Sequence, residues 1–333
     1  MLRLRPRAKS CQAAGLLLLM AAILMTGCGF TAEVKNKVVD YWDGKDGGLR
    51  KRVSVAPFTS SLPDMKAQAT ALQMAIAKTL GQQGGVVVLD FAALEQEAEK
   101  VPASVQNPED RAYEAGRLLG LNAVLAGNIT DLSVQRQMKG IYGFRDNAPF
   151  LALEVELRLL DMTTSTVLAQ ESFRRQEVIS DVEAEGITMS GAKPDPNLVN
   201  KLLAQVTKDA ESWVANKIAA QPWGGAILKV EGDKVLITAG RDTGLPVGSV
   251  LTVYSLGERI KAGTGQEIVL PGPAVGKIQL TELGARNSWA VIVERAKPPA
   301  PKEAKDKKDD KAAPPTPPPA PLAFEPGQYV RTR

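Results

Sequence analysis

Apolar residues along this chain recur at two periods, and the switch between them divides it. Met65, Ala69, Leu72, Ile76 and Leu80 step by three and four, which predicts a helix with one apolar face. Ser61-Leu62-Pro63-Asp64 ahead of them reads as its start: a Ser cap, a Pro in the first turn and an acid three residues on. Val53, Val55 and Phe58 form a short strand before it. Gly84-Gly85 stops the helix, and Val86 to Leu89 is a continuous apolar strand. A helix around Leu94 follows, then another opened by Asn107-Pro108-Glu109-Asp110 and closed by Gly120. Val124 to Ile129 returns as a strand. Leu151, Leu153, Val155, Leu157 and Leu159 then alternate with Glu154, Glu156 and Arg158, the pattern of a strand buried on one face. After an Asp161-Met162-Thr163-Thr164 turn, Val167 to Phe173 comes back. Val199, Leu202, Leu203, Val206, Trp213, Val214 and Ile218 mark a long amphipathic helix over 195–221.

From Trp223-Gly224-Gly225 onward only short β segments appear. Ala226–Val230 and Val235–Thr238 flank Gly232-Asp233, a two-residue hairpin turn. Val250–Tyr254, Val275–Leu280 and Trp289–Val293 follow. Residues 297–321 are a Pro, Lys, Asp and Ala tract that buries no core. Phe324-Glu325-Pro326-Gly327-Gln328-Tyr329-Val330 then reads as one more strand, so the tract is a loop inserted before the last strand of a barrel. The expected fold is a small mixed α/β sheet with flanking helices, α+β or α/β in class, followed by an all-β barrel. The expected boundaries are 1–27, 28–50, 51–222 and 223–333.

The amino terminus changes the reading of charge. Arg3, Arg5, Arg7 and Lys9 precede an apolar run, Leu16 to Met25, about half the length a membrane-spanning helix needs. A basic flank, a short apolar core and small residues make a secretory signal peptide over 1–27. The chain has 41 basic and 37 acidic residues, and the four bases of the signal account for the whole difference. The mature protein is formally neutral, so the pI near 8.9 gives no case for nucleic acid. Cys11 leaves with the signal, and Cys28 is the one thiol of the mature chain.

The run Leu24-Met25-Thr26-Gly27-Cys28 resembles the bacterial lipobox, with Met25 where Leu is usual. The resemblance implies cleavage before Cys28, acylation of Cys28, and a tether over 28–50. Gly29 carries no acidic inner-membrane retention signal of the enteric type, so the expected location is the outer membrane, facing the periplasm. Residues 52–220 resemble the domain shared by curli-secretion lipoproteins, TolB amino-terminal domains and penicillin-binding-protein activator lipoproteins. The carriers are Val53-Ser54-Val55-Ala56-Pro57-Phe58, Val87-Val88-Leu89-Asp90, the run from Ala115 to Ile129, and Leu157-Arg158-Leu159-Leu160-Asp161. Residues 224–331 resemble the SH3-like carboxy-terminal barrel of the flagellar assembly protein T family, through Gly240 to Gly248, Gly263 to Glu267, Val275-Gly276-Lys277-Ile278, Ser288-Trp289-Ala290 and Pro326 to Val330. That family also sets a TolB-like domain before its barrel. The lipid anchor and the Pro/Lys insertion depart from it.

Candidate chemistry is thin. With no histidine, a Ser-His-Asp triad, a Cys-His pair and a His-ligated zinc are impossible. Gly272-Pro273-Ala274-Val275-Gly276-Lys277 is one residue short of a phosphate loop, lacks the Ser/Thr and precedes a strand. Asp181, Glu183 and Glu185 read as a solvated strand edge or loop rather than a calcium site. Glu154 and Glu156 share an outer face, with nothing to keep one protonated for glycosidase work. The stretches 135–150 and 174–196, charged and turn-like, do not supply the four alternating membrane strands of a curli-type pore. No catalytic, cofactor or metal residue is assigned. The expectation is a non-catalytic outer-membrane lipoprotein, a scaffold or assembly factor whose partners are envelope proteins such as flagellar ring or secretion components. A homo-oligomer is left open. The alternatives are a curli-type secretion channel component and an activator of a peptidoglycan synthase.

Overall fold

The computed structural model describes residues 48–102, 105, 107–141, 144–261, 267–296 and 322–332. Its first sheet grows outward from β1 (Lys51–Val55), a strand buried at every position. On one side β1 pairs in parallel with β3 (Val86–Leu89), on the other with β4 (Leu121–Ile141). The short β2 (Thr59–Ser60) also pairs in parallel with β4. The chain then turns back on itself through β5 (Phe144–Asp161) and β6 (Thr166–Val178), both antiparallel, giving the order β3-β1-β4-β5-β6.

The crossovers decide which helix covers which face. The connection from β1 to β3 moves one way across the sheet, and that from β3 to β4 moves the other way. With right-handed crossovers their helices fall on opposite faces. The first carries α1 (Lys66–Gln82); the second carries α2 (Phe91–Lys100) and α3 (Pro108–Leu118). α1 presents Ala69, Leu72, Ile76 and Leu80 to the core, as the periodicity predicted. It shares that face with α5 (Pro196–Ala219), and the strand residues beneath are Leu151, Leu153, Val155, Leu157 and Leu159. A separate apolar cluster holds α2 and α3 to the other face through Leu94, Tyr113, Val124 and Met162.

Three local expectations are corrected. The helix after Ser61 begins with a 3-10 turn at Pro63–Met65, whose capping position is Leu62, and Ser60 rather than Ser61 bonds the Leu62 amide at 3.0 Å. Asp181, Glu183 and Glu185 lie on a helix, α4 (Asp181–Ser190), capped by Ser180 and ended by Gly191 in the left-handed conformation. The stretch 135–150 is not a set of turns: β4 and β5 stay paired from Ala123↔Asp161 to Ile141↔Phe144. Once two antiparallel strands are in register, each added pair gains main-chain hydrogen bonds, whatever polar side chains it carries.

The second region is a closed antiparallel barrel in the order β10-β11-β8-β7-β12-β9. Its strands are β7 (Gly224–Glu231), β8 (Lys234–Ile237), β9 (Val250–Lys261), β10 (Glu267–Leu283), β11 (Ser288–Arg295) and β12 (Tyr329–Arg331). The predicted Gly232-Asp233 turn joins β7 to β8, with Gly232 at φ 62°. β12 lies between β7 and β9, so the strand after the Pro/Lys tract closes the barrel. The tract itself, residues 297–321, is outside the described residues.

Buried polar groups bind the barrel to the sheet. Arg52, 2% exposed, grips Asp242 through Nε and Nη2 and donates from Nη1 to the carbonyls of Leu119 (3.0 Å) and Thr238 (2.8 Å). Nη2 also donates to the Arg286 carbonyl. Asn122 accepts from the Arg52 amide and donates to the Gly224 carbonyl. Gly120 is required between them: its φ is +67°, and a Cβ there would sit 2.5 Å from Thr238 Oγ1. Lys51, 1% exposed, sends Nζ to the carbonyls of Ile218 (2.7 Å) and Ala219 (3.1 Å), capping the carboxy-terminal end of α5.

Candidate functional site: a groove on the open face of the sheet

The face of the sheet opposite α1 and α5 is only partly covered. α2 and α3 lie over β4 and the end of β5, and beyond them the surface is polar. A cavity of about 420 Å³ opens where the cover stops. Its floor is Val124 and Ala126 of β4 with Leu160 and Met162, and its wall is Phe91, Leu94 and Tyr113. A second depression of about 240 Å³, lined by Thr59, Asn128 and Glu156, shares Ala126 and Arg158 with it. The two make one groove.

Each wall has a local cause. Asn107 caps α3, accepting from the Glu109 amide at 3.0 Å, and Pro108 occupies the first turn. Arg111 reaches back to the Ala98 carbonyl with Nε (3.2 Å) and Nη2 (2.9 Å), locking α3 against the end of α2. Gly116 lets α3 settle on the sheet, since a Cβ there would lie 2.7 Å from Met162 Sδ. The turn that carries Met162 is held from the barrel: the Tyr329 hydroxyl donates to the Thr163 carbonyl, and Arg117 stacks 5.8 Å from the Tyr329 ring centre. Arg117 also pairs with Glu114. Burial raises the Tyr329 pKa, with Arg117 acting against it. The barrel therefore fixes one end of the groove.

Charge sits at the rim and the floor is apolar. Arg158 Nε bonds Glu156 at 2.6 Å, and Glu156 accepts a second bond from Gln170 at 2.8 Å. Glu109 stands on the opposite rim, exposed. Such a lining suits an extended apolar segment carrying a charge of either sign. Glu154 and Glu156 do lie on one face of β5, as the alternation predicted. Among the described residues, no group of three or more His, Cys, Asp or Glu is arranged to hold a metal ion. No helix among them is long and apolar enough to cross a membrane, which leaves strands untested. Cys28, the predicted lipidation site, lies outside the described residues, as does most of the Gly263 to Glu267 loop. The groove itself was missed in the sequence. Its lining comes from six elements and turns, and the only signal was the unexplained apolar Leu160, Met162 and Val167 next to a charged face.

No protein-family model matches this chain, and no curated protein does. Among solved structures it is similar to the hypothetical protein CT253 of Chlamydia trachomatis, at 15% identity over 50% of this chain and 98% of that one, with a TM-score of 0.30. It is similar to the lipoprotein GNA1162 of Neisseria meningitidis at 17% identity, over 50% and 99% of the two chains, with a TM-score of 0.28. The LpoB carboxy-terminal domain of Salmonella enterica matches at 13% identity over 39% and 84%, with a TM-score of 0.26. All three likenesses are distant.

Proposed function

We propose that this protein is a non-catalytic lipoprotein of the bacterial outer membrane, acting as a scaffold or assembly factor for an envelope machine such as the flagellar basal body. The observation that carries the reading is the sequence Leu24-Met25-Thr26-Gly27-Cys28 after a basic flank and a short apolar run. Acyl chains on Cys28 confine the protein to a membrane leaflet and raise its effective concentration for a membrane-bound partner. Two modules joined through Arg52 and Tyr329 then offer fixed surfaces, the groove among them, to that partner. The test is purification of the protein from envelopes beside its Cys28→Ser variant. The native protein is expected to sediment with membranes and bring envelope assembly components with it, and the variant to be released from the membrane. A Cys28→Ser protein that sediments as tightly as the native one defeats the anchor. Recovery of a peptidoglycan synthase or a secreted fibre subunit, in place of assembly components, defeats the scaffold role.

A further inference from the structure

The two edges of the sheet differ. β3 is four residues long and packs beside α1. β6 is thirteen residues long, pairs with β5 on one side only, and has no strand on the other among the described residues. A long open edge displays unpaired main-chain donors and acceptors and invites another strand. Charged side chains usually blunt such an edge, and β6 carries Glu171, Arg174, Arg175 and Glu177. Their order makes the edge selective instead.

We infer that β6 pairs antiparallel with β6 of a second copy of this chain, joining two sheets across a two-fold axis at Phe173. In that register Glu171 faces Arg175 of the second copy, and Arg175 faces the second copy's Glu171. Opposite charges directly across a pair of strands stabilise it, and like charges weaken it. Moving the axis to Glu171 sets that carboxylate against itself. Moving it to Arg174 sets that guanidinium against itself and Glu171 against Glu177. An axis at Ser172 leaves Glu171 facing Phe173, with no charge pair. Among registers that join most of the strand, the one centred on Phe173 is thus favoured and its neighbours are neutral or repulsive; an axis at Gln176 also sets Arg175 against Glu177 but joins only residues 174–178.

The side chains are ready for this pairing. Phe173, Arg175 and Glu177 face α5, where Phe173 meets Trp213 edge-on at 5.9 Å, Arg175 pairs with Asp209, and Glu177 pairs with Lys201 at 2.9 Å. The charge pairing at Lys201 lowers the Glu177 pKa. Arg175 keeps 38% of its side chain exposed. Glu171 is exposed and makes no ion pair among the described residues. Val178, at the far end of the strand, is 54% exposed.

The test is sedimentation velocity on the full-length Cys28→Ser protein in a mild detergent, which keeps the question apart from lipid anchoring. A reversible monomer–dimer equilibrium is expected. Glu171→Arg, at an exposed position outside the α5 contacts, weakens it about tenfold, since two attractive pairs become repulsive. The double variant Glu171→Arg/Arg175→Glu restores it, although Arg175→Glu alone also loses Asp209. Circular dichroism checks that each variant is folded. A protein monomeric at every concentration overturns the inference, as does a dimer indifferent to Glu171→Arg or not recovered by the exchange.

Discussion

The two faces of one sheet are built by different rules. Toward α1 and α5, β5 offers leucine and valine from Leu151 to Leu159, and each of Leu151, Leu153, Val155, Leu157 and Leu159 is fully buried. Toward the other side the same strand offers Glu154, Glu156 and Arg158, which are covered partly or not at all. The first face makes the fold, since burial of apolar area is the main favourable term and tolerates no cavity. The second costs little to vary, so it is where a binding surface can be placed without loss of the core. Its groove forms where the cover of α2 and α3 stops and the apolar floor runs out under a charged rim.

Substitutions on the two faces should separate accordingly. Leu153→Ala removes a fully buried side chain from between β5 and the helices, and is expected to lower the unfolding free energy by about 2–5 kcal/mol in urea titration. A cost below roughly 1 kcal/mol would mean that the packed face is not the core.

A second test lies at the edge of that packed face. Burial lowers the Lys51 pKa from the usual 10.5 to about 8. Below pH 8 Lys51 is protonated in both folded and unfolded chains, and the cost of burying the charge is fully present. Between pH 8 and 10.5 the unfolded chain binds the extra proton, so stability rises with pH, by up to about 3 kcal/mol from this group. Tyr329 works the other way above about pH 10: its raised pKa keeps the folded chain protonated longer, and stability falls as the unfolded tyrosine ionises. Lys51→Met should flatten the rise between pH 8 and 10 in thermal unfolding. An unchanged profile would show that Lys51 does not titrate in the buried state.

The smallest effect belongs to the open face. Glu156→Gln gives up the charge of a half-exposed pair with Arg158, and the expected change in stability is within about 0.5 kcal/mol. If it approaches the Leu153→Ala cost, the distinction between the faces fails.

Those faces were legible in the sequence to different depths. Period-two leucines in β5 and the three-and-four steps of α1 and α5 were read correctly because burial on one side leaves a repeating mark. The full length of β4 was not, because Gln135, Arg136, Gln137 and Lys139 alternate nothing apolar, and their strand follows from pairing with β5. α4 was hidden for a related reason: Val182 and Met189 are exposed on it, and Ala184 alone is buried. Arg52 and Lys51 carried no sign of burial, since a charged residue beside a strand usually reads as its solvated start. The partners that draw them inside, Asp242 and the end of α5, lie more than a hundred residues away. The groove collects lining from β2, α2, α3, β4, β5 and β6, and no single window of sequence contains it.

On the proposed lipoprotein reading, both modules stand on a chain that begins at acylated Cys28. Intact-mass analysis of the protein isolated from its own envelope tests that placement directly. The expected product is a chain that starts at Cys28 and carries the added mass of its acyl groups. A chain with an unmodified Cys28, or one that starts at another residue, would contradict it.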